Sequence, residues 1–295
     1  YKGGWTLESA EEICSDELLI ARIKLVKGKF LVFKETGSNN EEIIIEAIEN
    51  LSAAHDIFIK HDYNAEMCNL FTYQGIAYRL NSGIREKKVN LEISLAYFRK
   101  ALECIPDNKE RANNYLLNKE IGVCFTELAY INQSVEQCDS AIKYLDRVFI
   151  YWTSQYTEES ISILPSICHG LGCAYTEKAS LSNINNKDNI KLSIFFFNRC
   201  LDFWKVSIQP VNYAMVQMNL GSSIAIQSSI LDSTGLLWNA IECYKNALEV
   251  YKPEKYPSEY CMAMWRSGNI YMNLNKEMPS SISFTQIEEY FNLAL

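Results

Sequence analysis

The chain has 295 residues, of which 48% are apolar and 22% charged, with a formal net charge of −8. That balance is the composition of a folded protein and excludes a disordered chain. An acidic chain gains little from counterion release, so a nucleic-acid partner is not expected, and no apolar run approaches the roughly 18 residues of a bilayer span, so neither is a membrane partner.

In chain order, six glycines set the organisation: Gly28, Gly75, Gly122, Gly172, Gly221 and Gly268, at intervals of 47–50 residues. Each is followed by a second marker in which a small or branched residue precedes an aromatic or leucine by four positions and another small or branched residue by seven. The instances are Ala47/Leu51/Ala54, Ser94/Phe98/Ala101, Ala141/Leu145/Val148, Ser193/Phe197/Cys200, Ala240/Tyr244/Ala247 and Ile287/Phe291/Ala294. A fixed period of this size predicts one supersecondary unit stacked on copies of itself. Tyr73, Ile76, Ala77 and Leu80 around Gly75, then Leu91, Leu95, Phe98 and Leu102, both follow helical spacing, so each unit is predicted to be a helical hairpin.

Between the paired helices the sequence carries reversal chemistry: Gly37 to Asn40, Asn81 to Gly83, Asn132 to Ser134, Ser182 to Asp188, Asp232 to Gly235 and Pro279 to Ser281. Ser38 with Glu41 reads as a capping box opening the helix of Ala47. The six prolines are expected at junctions or turns. The units fall at about 7–61, 62–107, 108–155, 156–206, 207–253 and 254–295, one uninterrupted array over 1–295. Both ends read as cut within that array, so the chain is expected to be part of a larger protein.

Ten cysteines contain no Cys-x-x-Cys, and several stand where the repeat expects alanine, such as Cys200 and Cys261. They are expected to be reduced core residues in a cytoplasmic setting, with no metal and no cofactor. Cys168, His169 and Cys173 are the sharpest local cluster, with His169 and Cys173 one helical turn apart. As a reactive centre they would make a cysteine-dependent enzyme. Two ligands do not complete a structural zinc site, however, and no phosphate-binding loop occurs. An enzyme is therefore not expected.

These markers resemble the tetratricopeptide repeat, through Leu171-Gly172 with Tyr175, Leu220-Gly221, Gly75 with Tyr78, Gly268 with Tyr271, and Pro106 five residues after Ala101. The resemblance covers nearly the whole chain, with each unit longer than the usual repeat. It implies an all-α, right-handed superhelical solenoid of six hairpins that binds a partner protein or peptide in a concave groove. Long repeats of this kind look like those attached to caspase-like or STAND-type nucleotide-switch domains of bacteria and archaea, which implies a recognition or sensing arm. A free-standing adaptor or scaffold is the other reading. Carried over from the family's helix-A positions, the groove would present Arg22, Lys29, Arg79 and Lys119 as a basic half, His169 between, and Met218, Met262, Trp265, Asn269 and Met272 as an apolar half. An acidic portion of the partner is expected against the first set and an apolar portion against the second.

Overall fold

The computed structural model describes residues 14–35, 40–107, 114–155 and 157–277, together with Asn292. Those residues form eleven main helices in chain order: α1 (Glu17–Glu35), α2 (Glu41–Lys60), α3 (Met67–Ser82), α4 (Lys87–Glu103), α5 (Tyr115–Asn132), α6 (Val135–Gln155), α7 (Glu158–Leu181), α8 (Asn186–Phe203), α9 (Pro210–Leu231), α10 (Gly235–Leu248) and α11 (Pro257–Glu277). No strand occurs among the described residues. The expected second helix of the sixth hairpin, with Ile287, Phe291 and Ala294, lies outside them.

Helices pack on their chain neighbours, α1 on α2, α3 on α4, α7 on α8 and α9 on α10 within hairpins, and α2 on α3, α6 on α7, α8 on α9 and α10 on α11 between them. The glycines explain the pairing within hairpins. A Cβ on Gly28 would stand 2.6 Å from Leu51 Cγ, and one on Gly172 or Gly221 would stand 2.7 Å from Phe197 Cε1 or Tyr244 Cε1. Gly75 meets the Phe98 ring in the same way. Helix A therefore lies directly on the large side chain of helix B, and only a residue without Cβ leaves the room. Phe98 and Phe197 are fully buried as a result.

Between hairpins the approach is made by small polar side chains. Ser94 Oγ donates to the Gly75 carbonyl at 2.7 Å and lies 3.4 Å from Cys124 Sγ on the next helix A. Ser193 repeats the arrangement 3.0 Å from Ser223 Oγ, with Thr176 Oγ1 bonded to both at 2.6 and 2.8 Å. These hydroxyls satisfy one another across the seam.

The contacts divide the chain into two compact units, Tyr1–Ile131 and Asn132–Leu295. Two features depart from the sequence expectation. Asn40, not Ser38, caps α2: its Oδ1 accepts the Glu42 N–H at 3.0 Å, while Ser38 lies outside the described residues. Pro165 is inside α7 rather than at a junction, whereas Pro210 and Pro257 open α9 and α11 as first helical residues. The predicted reversals at 81–83, 132–134, 182–188 and 232–235 do separate helices. Gln133, Asn185 and Asp232 turn the chain there with φ of 51–56°, a region that Asn and Asp tolerate best. No helix of the described residues is long and apolar enough to cross a membrane.

Candidate functional site

In the N-terminal unit the four basic positions fall into two kinds. Arg22 is exposed and donates through Nη2 to the Tyr63 hydroxyl, and Lys29 Nζ lies 4.8 Å from the centre of the Tyr73 ring. Arg79 and Lys119 instead serve Glu120, a carboxylate only 3% exposed on α5. Arg79 Nε is 2.5 Å from Glu120 Oε2, and Lys119 Nζ is 3.3 Å from Oε1. Burial pushes the Glu120 carboxyl up, but the Arg79 and Lys119 charges outweigh it and hold the group below the usual carboxylate range. Burial likewise pushes Arg79 down and Glu120 reverses it. Arg79 and Lys119, expected to offer charge to an acidic partner, thus already meet a carboxylate of the chain itself.

In the C-terminal unit α7, α9 and α11 carry the remaining positions. His169 is partly buried, with its ring near Phe197 and Trp204. Burial lowers its pKa to about 4, so it is neutral at physiological pH. Its Nε2 accepts from Asn219 Nδ2 at 2.9 Å, and Cys173 Sγ lies 3.7 Å from the same nitrogen. A thiol–imidazole relay needs the thiol on one ring nitrogen and the orienting group on the other. Here both crowd Nε2, and an imidazole of such low basicity is a poor acceptor for a thiol proton. Cys168 lies on the other side of α7, buried, with its thiol lowered by the hydrogen bond to Cys200. The structure thus separates Cys168 from the His169–Cys173 pair. No group of three metal-ligating side chains occurs among the described residues. None of the ten cysteines is in a disulfide.

The low His169 pKa has a thermodynamic consequence. The unfolded chain binds a proton near pH 6.5 and the folded chain only near 4, so folding stability is full above about 6.5 and falls as pH drops through that window. Chemical denaturation at pH 7 and pH 4.5 should show wild type losing roughly 2 kcal/mol more than His169→Gln. An equal loss in both proteins would contradict the neutral, partly buried imidazole.

Met218 does not face an open surface. It is 5% exposed within the core cluster that joins α9, α10 and α11 through Leu237, Tyr244, Ala263 and Leu274. The α11 positions behave differently. Met262 is 48%, Trp265 55% and Met272 38% exposed, with Asn269 half-buried between them, and the four lie along one stripe of the helix. Arg266, beside Trp265, reaches back to α9 and donates to Ser222 Oγ at 2.7 Å. Asn219, Glu120 and Arg266 were not legible as site residues. They share the position two before the repeat glycine, one that the inherited groove pattern does not include. The chain matches no protein-family model and no curated protein.

Proposed function

We propose that this chain is a protein-binding module built of tetratricopeptide-type repeats, with the right-handed winding that type implies, and that it takes a partner peptide or protein on its helix-A faces. The observation that carries this reading is the α11 stripe. Met262, Trp265 and Met272 expose large apolar side chains side by side on a helix whose opposite side is fixed in the core by Ala263, Ile270 and Leu274. Contiguous exposed apolar surface marks interaction sites, and Trp and Met are the side chains most used there. Asn269 and Arg266 add polar groups at its edge. Ten free thiols fit a reducing, cytoplasmic setting. Within a larger protein, such a module would serve as the recognition arm of a switch.

A random-peptide display library panned against the immobilised protein tests the reading. Peptides with an apolar anchor should be enriched, and Trp265→Ala should weaken them roughly 30-fold, about 2 kcal/mol, mainly through faster dissociation. No enrichment over a blank surface, or undiminished binding to the variant, would refute it.

A further inference from the structure

The first described helix carries a second apolar face, largely exposed, on which the Phe33 ring meets the Tyr73 ring edge-on at 5.8 Å. Leu19, Ile23, Val26, Phe30 and Phe33 repeat at intervals of four and three residues along α1, the spacing of a helix-packing seam. Opposite them Ala21, Leu25 and Val32 pack into the core against α2 and α3. Leu19, Val26, Phe30 and Phe33 are 47%, 51%, 60% and 57% exposed.

Comparison with the later hairpins shows how unusual this is. The position two residues after the repeat glycine is Phe30 in α1, 60% exposed, and its counterparts are Ala77, Cys124, Ala174 and Ser223, each 0% exposed, and Ile270, 5% exposed. Two of them are seen directly under the preceding helix B, Cys124 against Ser94 and Ser223 against Ser193. These two seams close because both sides are small. A hairpin of the chain's own kind would meet at Phe30 a ring larger than any side chain found at this position in the later hairpins. The seam of α1 is shaped for a different occupant, one that interleaves large side chains.

Charge selects that occupant. Arg22 and Lys29 lie immediately before Ile23 and Phe30, and Lys34 immediately after Phe33, so they flank the seam where partner helices read charge. Among the described residues none of the three has a carboxylate within ion-pair reach, whereas Lys27, on the same flank as Lys34, is paired with Glu46 at 3.0 Å. A second copy docked on this seam would set cation against cation. We infer that the outer face of α1 is a docking surface for an amphipathic helix of a partner protein whose apolar stripe is flanked by carboxylates. It is a surface of the N-terminal unit and is independent of the α11 stripe.

The test uses two designed helices of about three heptads, Leu at the seam positions, with Glu or Lys at every flanking position. Fluorescence anisotropy should show the Glu helix binding at least roughly tenfold tighter than the Lys helix at low salt, the gap closing as salt rises. Phe30→Glu should abolish binding with an unchanged melting curve. The double variant Arg22→Glu/Lys29→Glu should reverse the preference between the helices. Equal binding of both helices, or of neither, overturns the proposal. So does self-association of the protein that Phe30→Glu removes, which would assign the face to a second copy. A large fall in melting temperature on Phe30→Glu, without helix binding by wild type, overturns it too, because the face would then be packed within the chain.

Discussion

Arg79→Met is expected to destabilise the protein by roughly 3–5 kcal/mol, the effect of removing one partner from a buried ion pair. The cause lies in what remains. Glu120, 3% exposed, would keep only Lys119, whose ammonium is farther away and more open to solvent. The pH dependence separates this mechanism from simple loss of packing. In wild type the Glu120 carboxyl sits below its ordinary value, so its contribution is present above about pH 4.3 and is lost as pH falls through the lower folded value. In the variant burial dominates and the folded value moves above the ordinary one. Acidification from pH 7 should then narrow the stability difference between the two proteins. Urea denaturation at pH 7 and pH 5 measures it, and a difference that does not change with pH would reject the buried-carboxylate account. Arg79→Lys, which keeps the charge, should lose less.

Gly75→Val should cost roughly 1–3 kcal/mol or more, because the added side chain must occupy space now filled by the Phe98 ring. Phe98 is fully buried and cannot swing out to solvent. The interaction is testable as a cycle. Phe98→Ala alone should lose about 3–5 kcal/mol through the cavity it leaves. The double variant should lose clearly less than the sum, since the valine enters that cavity. Additive losses would mean that glycine and ring are not in contact.

The period of the glycines made the hairpins legible, because a residue without Cβ facing a Phe, Tyr or Leu is a packing statement written in one dimension. Direction along a helix was legible as well, whereas what covers a given direction was not. Met218 and Trp265 hold the same place, three residues before Gly221 and Gly268, yet one is 5% and the other 55% exposed. Met218 lies in a core cluster with residues of α10 and α11, neighbours supplied later in the chain, and a position within one repeat does not encode them. Arg79 shows the same limit for charge, since its carboxylate lies 41 residues on, in the next hairpin. The Cys168–His169–Cys173 string looked like one cluster in sequence, but helix geometry sends Cys168 to the core and leaves His169 with Cys173. The exposed seam of α1 carried a sequence signal, its four-three spacing, hidden because that helix is apolar on nearly every side.

The free thiols are spread along the array, and burial has made several of them chemically silent. Burial pushes Cys124 and Cys138 up to about 12 and Cys243 up to about 11, so almost no thiolate exists at neutral pH while each hairpin is closed. Each becomes an ordinary nucleophile only when its own helices part. A slow alkylating reagent, followed residue by residue, would therefore record the order in which the hairpins breathe, with the protein supplying its own clock at each station.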